Sequence, residues 1–261
     1  MARRRFVCLC VGVVIVATGC LVREQCSDAE DCAAGTCISG VCYTESDLPD
    51  KKKNLACPGG MTVVDNRFCI DRYEAARIDA DSGTAGFLDS LGTVRKGVIP
   101  WAGVTYETAR RACASRGKRL CTLSEWQYAC SGPNGTAYCY GDEYNAATCN
   151  SIDSFCDSVY NGCFYDCPYC YPFHVVPTGS FAGCTSHWGV YDLSGNLWEW
   201  VDTSVTYTET GSYSVLPHLR GGAYNCSSPG APYYMLSCEF DGGTYRPASG
   251  FRCCDNGTES E

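Results

Sequence analysis

Cysteine is the residue that most constrains this chain, since it occurs 23 times in 261 residues. Disulfide bonds in such number form and persist outside the cytoplasm, where they hold together chains that are rich in loops. The composition therefore predicts an extracytoplasmic, disulfide-rich protein. The net charge of −9 makes nucleic acid and anionic membrane surfaces unsuitable partners.

The first twenty residues have the pattern of an export signal. Three arginines precede an apolar stretch, Phe6 to Val16, that is too short to be a comfortable membrane span. The segment Ala17-Thr18-Gly19-Cys20 resembles the cleavage box of bacterial lipoproteins, in which the cysteine becomes the lipidated first residue. Cleavage and lipidation there leave an even number of cysteines that can pair completely. We expect residues 1–19 to be a lipoprotein signal peptide and Cys20 to anchor the protein in a bacterial membrane; cleavage elsewhere, with one unpaired cysteine, is the alternative.

The mature chain is predicted to consist of a small module and a large domain. Residues 20–43 contain four cysteines besides Cys20 and almost no apolar side chains, so the module can fold only if disulfides restrict its unfolded state. We interpret it as a spacer, with a partner-binding module as the alternative. Residues 44–56 form a predicted linker, residues 57–254 are long enough for one domain, and residues 255–261 form a tail.

Two amphipathic helices are predicted in the large domain. Thr105 suits the N-cap of a helix over residues 106–116, and Gly117 is placed to end it. Thr122 and Glu125 form a capping box for a second helix. The remainder of the domain is dominated by residues typical of turns, with short apolar pieces between them. The sequence thus predicts an α+β, loop-rich fold.

Five short motifs occur in the large domain in a fixed order. They are Cys69–Glu74, Gly117–Tyr128, Trp188–Trp200, Leu219–Cys226 and Gly250–Cys254. Together they resemble the formylglycine-generating enzyme (sulfatase-modifying factor) family over roughly residues 57–254. The resemblance implies the C-type-lectin-like variant of the α+β fold. It also implies that the substrate is a protein or peptide, in this family a sulfatase, whose cysteine is oxidised to formylglycine by molecular oxygen.

The same resemblance implies a catalytic role for Cys226. Enzymes of the family bind copper(I), a soft ion suited to thiolates, with two cysteines, and the first follows a glycine pair as Cys226 does here. The second would lie five residues later, where this chain has Ala231, and Ala223 replaces a serine that usually follows the glycines. Because Cys226 alone cannot supply a dithiolate, we expect weak or absent oxidase activity. A noncatalytic binding or structural domain is the alternative.

Structural cysteines are predicted beside this one. The resemblance implies two long-range disulfides, and a third is expected as a local bridge: Cys113–Cys253, Cys130–Cys238 and, locally, Cys57–Cys69.

A Gly-Asn-Leu-Trp-Glu segment resembles the calcium loop of the family. This implies a cation held by Asn196, Glu199 and backbone carbonyls, and calcium suits such oxygen ligands because it accepts flexible geometry. Asn150 is a candidate ligand of a second such site. The alternative is that Glu199 pairs with an arginine, such as Arg220 or Arg252, while Asn196 caps a turn.

One motif invites a redox interpretation. Cys167-Pro168-Tyr169-Cys170 has the spacing of a glutaredoxin-type dithiol, whose chemistry needs the first cysteine at a helix N-terminus. The turn-like flanks predict no such helix. We interpret these cysteines as structural, either as a pair or as partners of Cys156 and Cys163.

Overall fold

The computed structural model describes residues 48–89, 92–154, 174–203, 217–226, 235–244 and 248–259, together with the backbone of six short strands elsewhere. The Cys167–Cys170 motif and Ala231 lie outside the described residues. The chain divides into two compact units, Met1–Pro49 and Asp50–Glu261.

The first unit contains two antiparallel strand pairs. The strands are β1 (Phe6–Leu9), β2 (Leu21–Glu24), β3 (Thr36–Ile38) and β4 (Val41–Tyr43). Strand β1 pairs with β2, and β3 pairs with β4. The register of the second pair puts Cys37 directly opposite Cys42.

Within the described residues, the second unit contains short strands and two α-helices joined by long loops. Its strands are β5 (Leu55–Ala56), β6 (Met61–Val64), β7 (Phe68–Asp71), β8 (Ala76–Arg77), β9 (Gly92–Thr93), β10 (Arg119–Leu120), β11 (Trp198–Val201), β12 (Thr206–Tyr207), β13 (Tyr213–Ser214), β14 (His218–Arg220), β15 (Ser249–Phe251), β16 (Cys253–Asp255) and β17 (Thr258–Glu259). Its helices are α1 (Tyr106–Ala114), α2 (Leu123–Ser131) and a 3₁₀ turn, Ile152–Ser154. These elements confirm the predicted α+β, loop-rich class.

Two sheets position the loops of interest. The larger has the strand order β10-β16-β7-β6 and is antiparallel throughout. The smaller has the order β14-β11-β15, in which β11 is antiparallel to β14 and parallel to β15. Strands β15 and β16 are almost consecutive in the chain, so residues 249–255 link the two sheets.

Helix α1 begins where the sequence predicts but ends earlier. The Thr105 side chain accepts a hydrogen bond from the backbone N–H of Thr108 at 3.2 Å, as an N-cap residue does. The helix ends at Ala114 rather than at position 116. The Gly117 N–H closes a tight turn onto the Ala114 carbonyl, and Gly117 itself has φ +69°, so the chain leaves the helix through this turn.

Helix α2 has the capping box that the sequence predicts. The Thr122 hydroxyl accepts from the Glu125 N–H at 3.2 Å, and the Glu125 carboxylate accepts from the Thr122 N–H at 2.9 Å. Each bond satisfies a backbone N–H group that the helix itself leaves unpaired. The helix extends through Cys130, as predicted, and ends at Ser131.

The main apolar cluster joins α1 to both sheets. It includes Trp101, whose ring meets the ring of Phe251 in β15 edge-on, with centroids 5.9 Å apart. Trp198 and Trp200 of β11 and Leu219 of β14 belong to the same cluster. Large aromatic side chains supply much buried area per residue, which suits a domain with little regular structure.

Five disulfides lie within the described residues and reinforce this core. They are Cys57–Cys69, Cys113–Cys253, Cys121–Cys254, Cys130–Cys238 and Cys149–Cys184. The three predicted bridges are confirmed, and the other two were not predicted. Disulfides in this number indicate an extracytoplasmic protein. Within the described ranges, none of the helices combines the length and apolar character that crossing a membrane requires.

Candidate functional site

The glycine pair after β14 is required by both conformation and space. Gly221 and Gly222 have φ of +87° and +73°, a region that side chains with a Cβ rarely adopt. A Cβ at Gly221 would lie 2.7 Å from the Leu193 carbonyl oxygen, and one at Gly222 would lie 2.6 Å from Leu236 Cδ2. The chain therefore passes between two other segments at a distance that only glycine permits.

This turn leads to Cys226, the predicted catalytic residue. Cys226 is only 7% exposed and belongs to the main apolar cluster. Its N–H donates to the Ala223 carbonyl at 2.9 Å, and its carbonyl accepts from Ile152 N–H at 3.1 Å. The Cys226 sulfur lies 3.7 Å from Asn225 Oδ1. The thiol is thus held in a tight turn and largely withdrawn from solvent.

The residues at this position do not fit a copper(I) dithiolate. Cys226 offers one sulfur atom, and the methyl group of Ala231 has no atom that can coordinate a metal. Ala223 is fully buried against the same cluster, so its small size is used in packing. The donor set needed for the family's copper chemistry is therefore incomplete in this chain.

Glu199 of β11 forms a buried ion pair with Arg252. Its Oε1 accepts from Arg252 Nη2 at 2.5 Å, and its Oε2 accepts from Arg252 Nε at 2.6 Å. The indole N–H of Trp126 also donates to Oε2, at 2.6 Å. Arg252 donates further to the Asp71 and Tyr191 carbonyls, so each side of the pair is hydrogen-bonded inside the protein. The arginine pairing weighed as an alternative is the arrangement that the structure has.

Asn196 connects three segments of the chain. It has φ +59°, and its Nδ2 donates to Glu74 Oε2 at 2.5 Å. Its Oδ1 accepts from Asn150 Nδ2 at 2.8 Å and from the Val176 N–H at 3.0 Å. Glu74 Oε1 also accepts from the Leu197 N–H at 3.1 Å. The Asn196 side chain thereby fixes the loop that precedes β11.

Asn150 brings a buried oxygen to this loop. Asn150 is 2% exposed, its carbonyl accepts from the Asn196 N–H at 2.9 Å, and its Nδ2 donates to the His174 carbonyl at 2.9 Å. Within the described part of the chain, Asn150 Oδ1 is a buried acceptor with no hydrogen-bond partner. Such an oxygen normally has a partner, either a donor or a cation. Asn150 and Asn196, both predicted ligands, are therefore adjacent, whereas Glu199 is occupied by Arg252.

Three buried carboxyl groups share the arginine behind this loop. Burial raises the pKa of Asp192 to about 7, and the charge of Glu199 acts in the same direction, against the Gly179 N–H and Arg252. Burial also raises the pKa of Glu74 well above its ordinary value, assisted by the charges of Asp192 and Glu199. Arg252 pairs directly with Glu199 alone, so the cluster retains protons near neutral pH.

Glu74, Trp126 and Asp192 are not among the predicted site residues. Each lies inside one of the five motifs that carry the family resemblance. Their spacing along the chain gives no hint of contact, because three separate segments bring them together. The available signal was the position of each acidic or indole side chain inside a motif that carries the family resemblance.

Several known proteins are similar to this chain. The mouse (Mus musculus) protein named inactive C-alpha-formylglycine-generating enzyme 2 is 30% identical over 60% of this chain and 49% of its own length. The formylglycine-generating enzyme of Streptomyces coelicolor is 29% identical over 60% of this chain and 52% of its own length. This chain thus spans about half the length of these two relatives. Among solved structures, PvdO from Pseudomonas aeruginosa aligns with 80% of this chain and 92% of its own, at a TM-score of 0.45 and 18% identity.

A family model decides the relationship. The model described as the sulfatase-modifying factor enzyme 1-like domain matches residues 67–256, which include all five motifs and Cys226. The match covers most of the chain and agrees with the C-type-lectin-like variant of the α+β fold. The chain belongs to the sulfatase-modifying factor, or formylglycine-generating enzyme, family.

Proposed function

We propose that this domain is a family member whose cysteine oxidase activity is weak or absent. The observation that carries the proposal is the donor set, in which Cys226 has Ala231 where the family has its second cysteine. In the resembling enzymes copper(I) on two thiolates activates oxygen, and a single soft ligand leaves the ion loosely bound. Because Cys226 is buried, a peptide would also have to open the turn before it could reach the sulfur.

The relatives support this proposal in part. The mouse relative is inactive by its name, and a bovine (Bos taurus) protein of the same name is 34% identical over 39% of this chain. The alternative role is a noncatalytic binding or structural domain that retains the fold. The buried Glu199–Arg252 pair and the five disulfides suit such a role, because they stabilise the scaffold whether or not the copper ligands are present.

The test is a direct assay for formylglycine. Purified protein is incubated with copper(I), oxygen and a peptide containing the sulfatase Cys-x-Pro-x-Arg sequence, and the product is measured by mass spectrometry. We expect little turnover from the natural chain and a gain from Ala231→Cys, with Ala231→Ser as the matched control that adds no soft ligand. Turnover comparable with an authentic enzyme, abolished in Cys226→Ala, would show the proposal to be wrong.

We also propose a structural calcium ion at Asn150. The support is its buried Oδ1 beside the Asn196 loop, which has no hydrogen-bond partner among the described residues, since calcium takes carbonyl and amide oxygens. The thermal midpoint should rise when calcium is added to chelator-treated protein. The rise should disappear in Asn150→Ala and persist in Asn145→Ala, which changes an exposed asparagine of the same loop. An equal rise in both variants would contradict the site.

The location proposed for the protein is a lipid anchor on a bacterial membrane. It is supported by the cleavage box at Cys20 and by the disulfides. Mass spectrometry of the mature N-terminus should find an acylated Cys20. An unmodified chain that starts elsewhere would contradict the anchor.

A further inference from the structure

Three cysteine sulfurs meet at one buried point. Cys149 and Cys184 form a disulfide, and the free thiol of Cys139 lies 3.9 Å from Cys184 Sγ. All three sulfurs lie within 4.8 Å of one another, and the residues are at most 4% exposed. Among the described residues, no other disulfide has a third cysteine sulfur at this distance. Neither the fold nor the proposed function uses this thiol.

The surrounding backbone holds the thiol against the bridge. Cys139 N–H donates to the Ser194 hydroxyl at 3.3 Å, while Cys184 Sγ lies 3.3 Å from the Ser194 carbonyl oxygen. Ser194 therefore contacts both partners. On the other side, Cys139 sits in a tight turn in which Tyr138 and Gly141 exchange backbone hydrogen bonds of 2.8 and 3.1 Å. A sulfur in van der Waals contact with a disulfide needs to move by only about 2 Å to form a bond with it.

We propose that Cys139, Cys149 and Cys184 form a thiol–disulfide exchange site in which Cys184 can pair with either of the other two cysteines. In the exchange, Cys139 loses its proton and its sulfur attacks Cys184 Sγ. The Cys149–Cys184 bond breaks, its electron pair stays on the Cys149 sulfur, and Cys149 takes up the proton. One disulfide and one thiol are present before and after the step, so no oxidant or reductant is consumed.

The setting makes this exchange slow at neutral pH. Burial raises the pKa of the Cys139 thiol to about 12, and the nearby Asp192 carboxyl adds to the rise, against Ser194 and Arg252. Only the thiolate attacks a disulfide. The rate should therefore rise about tenfold for each unit by which the pH increases, as long as the pH stays below that pKa. The bridge seen in the structure is therefore kinetically protected.

The exchange has a consequence for the neighbouring loop. The Cys149–Cys184 bridge ties Asn150, which follows Cys149, to the segment that holds Asn196. Moving the bridge to Cys139 would release Asn150 from that covalent tie while leaving Cys184 constrained. The site is independent of the oxidase question, because it involves neither Cys226 nor position 231.

The equilibrium test uses cysteine variants folded in a glutathione redox buffer. After denaturation in acid, free thiols are labelled with N-ethylmaleimide and located by peptide mapping. In Cys149→Ser we expect a Cys139–Cys184 bridge and at least a fivefold lower labelling of these two cysteines than of Cys69 in the control Cys57→Ser. Full labelling of both Cys139 and Cys184 in folded Cys149→Ser would overturn the proposal.

A second measurement uses the natural chain, in case Cys149→Ser does not fold. The protein is incubated between pH 7 and 10, quenched in acid and labelled in the same way. Among the three cysteines of the site, we expect label on Cys139 alone at the start, and label appearing on Cys149 about ten times faster for each added pH unit. Label that stays on Cys139 and never appears on Cys149 at any pH, while the protein remains folded, would equally overturn the exchange.

Discussion

At the scale of single residues, the interior of this domain contains a cluster of buried charged groups. The Glu199–Arg252 pair, Glu74 and Asp192 lie in the interior beside the Asn196 loop. Removing carboxylates from water is costly, and one arginine cannot neutralise three of them. The pKa of Asp192 is raised to about 7 for this reason, chiefly by burial.

Asp192 should make the stability of the fold depend on pH. Its folded pKa of about 7 lies above the unfolded value of about 4, so the folded state holds the proton more tightly. Stability contributed by that proton is complete below about pH 4, is lost as the pH rises to about 7, and then stays constant. Urea denaturation from pH 4 to 8 should show this loss, of the order of a few kcal/mol, in the natural chain and not in Asp192→Asn.

The control for this measurement is Asp50→Asn, which changes an exposed carboxyl group. It should leave the pH profile of the natural chain unchanged. If the pH profile of Asp192→Asn matched those of the natural chain and of Asp50→Asn, Asp192 would titrate at its ordinary value in the folded protein.

At the scale of elements, the turn between β14 and Cys226 depends on close backbone approach. Gly222→Ala would place a methyl group 2.6 Å from Leu236 Cδ2 and 2.7 Å from the Met235 carbonyl. Gly189 has the same φ of +73° but open space around its Cα. We therefore expect Gly222→Ala to lower the free energy of unfolding by about 2 kcal/mol more than Gly189→Ala, measured by urea denaturation.

The pair of variants separates two physical effects. Both substitutions impose the same backbone strain, so equal losses would mean that the turn can shift to accommodate a side chain. A larger loss for Gly222→Ala, as expected, identifies the contact with the 235–236 segment as the constraint.

Local signals in the sequence predicted the elements that are locally determined. Thr105, Thr122 and Glu125 cap helices as expected, because capping involves only neighbouring backbone groups. The Cys121–Cys254 bridge was not predicted, since it depends on the pairing of β10 with β16 across the chain. Strand pairs of two residues carry too little pattern to reveal their partners.

The candidate site divides in the same way. The position of Cys226 could be predicted from its motif, and so could the place of Asn196 in the loop before β11. The sequence could not decide whether Glu199 pairs with Arg220 or with Arg252, because either arginine could approach the carboxylate. Asp192 was missed altogether, since its raised pKa results from burial that a single motif does not encode.

At the scale of the whole molecule, two disulfides close nearly the same loop. Cys113–Cys253 and Cys121–Cys254 have sequence separations of 140 and 133. While one bridge is intact, the other closes only a short additional loop. Removing either bridge alone should therefore lower the free energy of unfolding by about 2–3 kcal/mol. Removing the second as well opens a loop that the Cys130–Cys238 bridge still limits to about 30 residues, so it should cost about 3–4 kcal/mol more. Equilibrium unfolding of paired cysteine-to-alanine variants measures this non-additivity.

The Cys57–Cys69 bridge supplies the control. It has a separation of 12 and lies outside the loops closed by the other two. Its removal together with Cys113–Cys253 should therefore be additive within about 0.5 kcal/mol. Additive losses for the two overlapping bridges would show instead that native-state strain, rather than loop closure, sets their contributions.

Residues 249–255 supply one strand to each of the two larger sheets. A chain that is threaded across a membrane from its N-terminus delivers this segment after every other strand of the two sheets, so both sheets remain incomplete until it emerges. During that interval the buried side chains of α1 lack Phe251 and Cys253, which belong to the same apolar cluster in the folded protein. Apolar surface and unpaired cysteines of a newly exported molecule therefore stay exposed until this segment emerges.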